Sequence, residues 1–534
     1  MPNQTTFFVA LIGGALLCTG TAMAAEPIEL VPGHKQLFLD DYAVREVAGL
    51  NRVMHTPEKR GAVLKPDIPS DGNLIQIRSA PMWIPGENIY KLLYLAYGLD
   101  EKNQTGPALA VSKDGLHWEK PSLGQMSVHG SKDNNRIVID FPPPNNGLEN
   151  VVYDAGDPDP ARRYKGLAGA IGRAPVVSAD CIHWTKLDAP AIPSSDEAQL
   201  VYDQDKRRFM ATLKTSNEYG RAFNIATSED FAHWTPNRFL YGADAEDQPL
   251  AREFIRKRLA DPALAKPVFV EPDPDTGWKR PEGYQPTWRA ECYNIAVFPY
   301  EGVYIGLPQM YYPTGTELPS RANTDGFHLI QLAMTRDLVT WTRLGNRQPF
   351  IGPSPKEEGR RGVYDRMQLC VTNRPIEHGD ELWFYYSGLK WRSLPNEVNA
   401  DGTPRDPATL GDEERAEIAD GWGAACLAVL RRDGFISLDA EADGYVVTNP
   451  LKMNGNLLFL NLTASQGSAS VEVLDEKGSP VPGFTREDAL PAQGDAVRLP
   501  VRWKADASVS ALAGRLVSLK IYLSRASLYA FWTE

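Results

Sequence analysis

The stretch Ser112–Trp118 reads SKDGLHW, and it returns as SADCIHW at Ser178–Trp184 and as SEDFAHW at Ser228–Trp234. A weaker copy, TRDLVTW, stands at Thr335–Trp341, and Leu430–Ile436 (LRRDGFI) keeps the Asp-turn without the Trp. Short alternating apolar runs precede most copies: ALAV, NIAT, QLAM and CLAV before the first, third, fourth and fifth. Alternation that ends in Asp, Gly and Ser is the signature of strand–turn–strand. The Asp closes the turn by accepting backbone amides two residues on, and the Trp brings a large ring to bury on the next strand. Ser, Asp and His also suggest a hydrolase triad, but copies on separate repeats cannot share one site.

The copies are spaced by 66, 50, 107 and 95 residues. A four-stranded propeller blade needs roughly 40–50 residues, so each gap holds one blade, with insertions in the longer ones. Residues 242–287, charged and rich in Pro, form one insertion with room for at most a short helix. Residues 392–421 form another. The expectation is an all-β chain with a five-bladed β-propeller over residues 25–440. After residue 440 the runs NLLFLNLTA, SVEVLDEKG, AVRLPVRW and RLVSLKIYLSRASLYAFW predict a small β-sandwich over 441–534.

Residues 1–24 carry no charge, hold the apolar run Phe7–Leu17 and end in Ala22-Met23-Ala24. This is a signal-peptide pattern, and it predicts a periplasmic or secreted protein. No later segment approaches membrane length, so no membrane span is expected. The formal net charge of −12 argues against nucleic acid as a partner, which rewards a basic face. Cys181, Cys292, Cys370 and Cys426 show no CxxC spacing and read as buried small hydrophobes. His117, His183 and His233 each precede a repeat Trp and belong to different blades, while the other histidines lack metal-ligand spacing. No metal site is predicted.

Chemistry in a propeller gathers where the innermost strands open on the central channel. The segments read as inner strands are QIRSAPMW (76–83), LENVVYD (148–154), DEAQLVYD (196–203), AECYNIAVF (290–298) and YDRMQLCV (364–371). Four of them open with a carboxylate: Glu149, Glu197, Glu291 and Asp365. The first presents Arg78, and LFLDDY just upstream adds Asp40 and Asp41. Crowded carboxylates push each other's pKa values apart, so one can act as an acid while another stays ionised.

A five-bladed layout with an N-terminal LFLDDY, a central WRAECYN and a C-terminal sandwich resembles the glycoside hydrolase family 32 group and its family 43 relatives. Glu291-Cys292 matches the first two positions of the family's E-C-P motif, with Tyr293 in place of Pro. The resemblance implies Glu291 as proton donor, with Asp40 or Asp41 as positional counterpart of the nucleophile and Asp365 as a further candidate. The family's N-D-P-N-G motif is absent, and its R-D-P occurs only at Arg405-Asp406-Pro407, inside an insertion. Family analogy also implies a structural calcium in the channel, although the reaction itself requires no cofactor.

The reading is an exported glycoside hydrolase that cleaves a plant or algal carbohydrate by a two-carboxylate mechanism. Arg78, Glu149, Glu197, Arg289 and Arg366 are its candidate substrate-binding groups, and Trp288, Tyr293 and Trp391 its stacking platforms. SKDGLHW is also one residue short of the sialidase Asp-box, which raises a sialidase-like or polysaccharide-lyase propeller acting on an acidic sugar. A non-catalytic propeller that binds glycan or protein is the alternative from outside enzymology.

Overall fold

The computed structural model describes residues 27–97, 105–141, 147–316, 323–356, 362–393 and 411–534. The expected signal peptide lies outside them. Five antiparallel sheets form the blades of a β-propeller. In blade one a broken inner strand, Ile75–Gln76 and Met82–Ile84, pairs with Ile89–Tyr97, which pairs with Thr105–Ser112. Blade two runs Leu148–Tyr153, Tyr164–Ala168, Ala174–Ser178 and Thr185–Lys186. Blade three runs Ala198–Asp203, Arg208–Asn217, Gly220–Ser228 and Arg238–Gly242. Blade four is built on Glu291–Tyr300, Val303–Thr316, Ala333–Thr335 and Thr342–Arg343, with Thr324–Ile330 as an added strand.

Blade five takes three strands from one stretch of chain: Gln368–Val371, Glu381–Leu389 and Gly423–Arg431. Its outermost strand is Glu58–Leu64, from the beginning of the propeller. This explains the fifth repeat. After Asp433 the chain leaves the blade for the C-terminal sheet, so no fourth strand follows and no Trp is needed there.

The repeat is an Asp-turn between the third and fourth strands. Asp114 Oδ1 accepts from the amides of Leu116 and His117, both at 2.8 Å, and Ser112 Oγ accepts from that of Gly115 at 2.9 Å. His117 Nδ1 lies 2.7 Å from Asp114 Oδ2. The residue after the Asp is left-handed in the four copies that carry a Trp: Gly115 (φ 77°), Cys181 (73°), Phe231 (67°) and Leu338 (60°). Each histidine is spent on its own aspartate.

The channel is filled by polar side chains that tie one inner strand to another. Asn150 donates to Ala198 O, Gln199 to Val371 O, and Ser79 Oγ accepts from Val151 N. Asn373 donates to Leu200 O and accepts from Ala80 N, linking blades one, three and five. Cys181, Cys292, Cys370 and Cys426 are free and buried.

The C-terminal domain centres on the long strands Ile436–Thr448, Leu458–Leu474, Ala492–Pro500 and Leu516–Thr533. Its boundary differs from the expected one. Strands Ile28–Glu29, Gln36–Leu37, Val44–Ala48 and Asn51–Met54 join this sheet rather than the propeller. They cover hydrogen-bonding edges that would otherwise face water, and Ile28, Leu30 and Phe38 bury themselves in the sandwich core. The first insertion holds a helix, Asp247–Ala260, that buries Ala251 and Ile255 against the propeller. The second holds the helix Asp412–Ala419. Among the described residues no helix is long and apolar enough to cross a membrane.

Candidate active site

Successive strands of a blade alternate in direction. The inner strands therefore open on the same face to which the hairpins between second and third strands return. The Asp-turns lie on the opposite face. The mouth therefore collects the inner-strand residues Glu149, Glu197 and Glu291, and from the hairpins Arg173, Lys214 and Arg221. Arg392 joins them from the connection that follows the second strand of blade five.

Arg78 and Glu197 form a bidentate pair, with Nε and Nη2 each 2.7 Å from a carboxylate oxygen. Asn294 Nδ2 adds a donor at 3.2 Å. Arg173 Nη2 sits 3.0 Å from Glu149 Oε1, and Glu149 keeps 17% of its side chain exposed. Burial pushes Glu149 upward; Arg173 pulls it down, the charge of Glu197 pushes it up again, and the net shift is upward. For Glu197 burial also pushes upward, but Arg78, joined by Lys214 and Arg173, outweighs it and the carboxyl lies at about 2. Two neighbouring carboxyls are thus driven apart in pKa.

Glu291 is clamped differently. The Arg221 amide and Nη1 donate to Oε2 at 3.0 and 2.9 Å, and Arg289 Nε and Nη2 donate to Oε1 at 3.0 and 2.7 Å. All four bonds require Glu291 as an acceptor, the opposite of what a proton donor presents. Gly220 makes the room: a Cβ there would lie 2.7 Å from the Glu291 carboxyl carbon.

Tyr293 stands between two cations. Lys214 Nζ is 4.1 Å from its ring centroid and the Arg392 guanidinium 5.3 Å. Lys214 also donates to the Tyr293 carbonyl and lies 3.5 Å from Asp196. Burial lowers the Lys214 pKa and pushes the Tyr293 hydroxyl up to about 12. Arg392 meets Tyr311 Oη at 3.4 Å and Asn323 Oδ1 at 3.3 Å. Among the described residues it forms no ion pair with a carboxylate. His328 lies under both tyrosines, its ring 4.5 Å from that of Tyr293 and 4.7 Å from that of Tyr311. Burial, reinforced by Arg392 and Arg221, drives its pKa far down, so it is neutral.

Of the residues singled out in the sequence, Arg78, Glu149, Glu197, Arg289, Glu291 and Tyr293 come together here. Asp40 and Asp41 do not. Asp40 accepts from Arg336 Nε and Nη2, both at 2.9 Å, beside the fourth Asp-turn on the opposite face, and Asp41 pairs with Arg52 at 2.6 Å. LFLDDY belongs to the sandwich, which is why its acids miss the mouth. Asp365 turns outward to the closing strand, 2.7 Å from Lys59 Nζ and 2.8 Å from Tyr386 Oη. Arg366 is buried against Glu417 at 2.9 and 3.0 Å, with the Trp391 ring over it at 5.5 Å. Trp288 is 5% exposed and donates to Glu271 O, so it offers no platform. Arg173, Lys214, Arg221, Arg392 and His328 are mouth residues that the inner-strand pattern does not reveal.

The structural calcium that the resemblance implied would need several oxygen ligands in the channel. Among the described residues no three His, Cys, Asp or Glu side chains converge. The amide nitrogens of Asn150 and Gln199 are committed to backbone carbonyls, while among the described residues Asn150 Oδ1 and Gln199 Oε1 are buried without a hydrogen-bond partner.

No protein-family model matches the chain. No curated protein matches it either. Solved structures resemble it in fold. One is described as "Glycoside hydrolase", at 14% identity over 70% of this chain and 92% of that one, with a TM-score of 0.38. Another is the Bombyx mori GH32 beta-fructofuranosidase BmSUC1, at 11% identity over 89% and 94%, with a TM-score of 0.35. A third is a putative glycoside hydrolase from Bacteroides ovatus, at 14% identity over 70% and 96%, with a TM-score of 0.37. This likeness is one of fold and assigns no role to any residue.

Proposed function

We propose that the protein is a glycoside hydrolase with Glu149 as general acid and Glu197 as the anionic partner. The observation that carries this reading is the contrast between two carboxyls at the channel mouth: Glu197 is locked by the buried Arg78 through both oxygens, while Glu149 meets Arg173 through one and stays 17% exposed. Glycosidic cleavage needs such a pair: one group to protonate the leaving oxygen, and one to face the positive charge growing on the sugar ring. Glu149 keeps its proton to higher pH than an ordinary Glu and remains partly open to a ligand. Glu197 stays charged because Arg78 holds it. Glu291 becomes a positioning residue that orients Arg221 and Arg289.

The substrate is an acidic carbohydrate. The chain as a whole carries −12, yet the mouth gathers six cations: Arg78, Arg173, Lys214, Arg221, Arg289 and Arg392. Arg78, Arg173, Arg221 and Arg289 are held by Glu197, Glu149 and Glu291, and Lys214 by the half-exposed Asp196. Among the described residues Arg392 has no carboxylate partner, and it lies against the Tyr293 and Tyr311 rings. A uronate or similar anion on a ring stacked near Tyr293 would supply the missing charge.

The test is turnover of uronate-containing oligosaccharides against their neutral counterparts, with reducing-end detection. Acidic substrates are expected to be cleaved, and Glu149→Gln to lower kcat by about 10²–10⁴-fold with the circular dichroism spectrum unchanged. The pH profile follows from the signs. Glu197 is ionised above about 2. Glu149 loses its proton only above the ordinary Glu value, so the alkaline limb belongs to it. Arg173→Gln removes a group that lowers Glu149 and should move that limb to higher pH. Unsaturated products absorbing in the ultraviolet would assign a lyase instead, and binding without turnover would assign a glycan-binding propeller.

A further inference from the structure

The channel has a second opening, on the face of the Asp-turns, and it holds a cavity of about 730 Å³. That volume suits a small ligand of one to a few rings. Four of the five inner strands reach it at their C-terminal ends, through Trp83, Tyr153, Tyr202 and Arg374. Each of the three aromatic residues is backed by a ring on the second strand of its own blade. The centroid distances are 4.8 Å for Trp83–Tyr90, 4.8 Å for Tyr153–Tyr164 and 4.6 Å for Tyr202–Phe209. Such rings usually belong wholly to blade cores. Here Tyr164 and Phe209 are buried, whereas Tyr153 and Tyr202 are half-exposed and Trp83 is 39% exposed. Trp83 is the only tryptophan among the exposed large apolar side chains of the described residues.

Arg374 supplies the second, independent observation. It follows Asn373, whose amide ties blades one and three across the channel, so its backbone is fixed near the axis. Its side chain is exposed and lines the cavity. It has no hydrogen bond or ion pair among the described residues. The cavity's acids are largely committed: Asp154 and Asp157 hold Lys165 at 3.1 and 2.7 Å, and Asp230 holds His233 at 2.7 Å.

We propose that this floor cavity is a second carbohydrate site, distinct from the mouth, that takes an anionic sugar. Trp83 and Tyr202 stack on its rings, and Arg374 pairs with its carboxylate or sulfate. The site rests on no assumption about turnover at the mouth.

The test titrates the full chain with tetragalacturonate and with a chondroitin sulfate tetrasaccharide, by calorimetry and tryptophan fluorescence. The Glu149→Gln/Arg392→Gln double variant serves as background, so that the mouth is impaired. Binding should persist there. Arg374→Gln should weaken it about tenfold or more. Trp83→Ala should abolish it, while Trp83→Phe should keep the heat and lose the fluorescence change. Maltotetraose should bind about tenfold more weakly than either acidic probe. No heat with both acidic probes, or unchanged affinity in Arg374→Gln and Trp83→Ala, would overturn the proposal.

Discussion

Arg78 governs the mouth at the scale of single residues. Its side chain is 5% exposed and that of Glu197 8%. Taking two ions out of water costs several kcal/mol each unless geometry repays it. The planar fork of Arg78 meets both carboxylate oxygens, and Asn294 satisfies a further lone pair. Lys could not reproduce this, because it offers a point charge in place of a fork. Arg78→Ala would strand Glu197 in a dry setting, and we expect a loss of about 3–5 kcal/mol in urea unfolding at neutral pH. The sign of the pH dependence is fixed by the depressed pKa. The pair's contribution is complete above the ordinary Glu value of 4.5 and is lost as pH falls towards about 2. The stability gap between parent and variant should therefore close over that window. A gap independent of pH would mean that Arg78 acts through packing alone.

Blades are held by an interplay of Trp and Gly that the repeat only half reveals. In blades two and four the Trp of the Asp-turn folds back over the second strand. In blade four a Cβ on Gly306 would lie 2.5 Å from Trp341 Cζ3, and in blade two a Cβ on Gly166 would lie 3.2 Å from Trp184 Cζ3. Gly306→Ala should cost about 1–3 kcal/mol by overpacking, and Trp341→Ala on top of it should recover part of the loss. Thermal unfolding of the two variants checks this. The Asp-turn is legible in sequence because its chemistry is local: Ser, Asp and Trp act within seven residues. It also sets the phase of every blade, which is how Glu149, Glu197 and Glu291 are found. Four of the six mouth cations escape that reasoning. Arg173, Lys214 and Arg221 sit on hairpins, and only the alternating strand direction brings them to the mouth. LFLDDY misleads for a different reason. Its neighbours in space come from residues far along the chain, and no local signal records that pairing.

Propeller and sandwich are not two beads on a string. From Ile28 the chain runs through the sandwich sheet, crosses to close blade five with Glu58–Leu64, circles the ring and returns through Ile436–Thr448. Asp433 stands at the crossing, accepting from Tyr300 Oη at 2.6 Å, Lys35 Nζ at 2.9 Å and Asn461 Nδ2 at 3.0 Å. A fragment of residues 441–534 lacks the four N-terminal strands that complete its sheet. We expect it to show no cooperative thermal transition, and a peptide of residues 27–54 added in trans to restore one. Cooperative melting of the fragment alone would show that those strands are dispensable.

The closing strand also sets a clock. Glu58–Leu64 leaves the ribosome long before its partner Gly423–Arg431 exists, and the contact spans more than 350 residues of chain. Closing so long a loop is entropically costly and slow, so ring closure belongs to the end of folding. Until then a strand edge of blade five stays open, and the mouth, which needs every blade in place, does not exist.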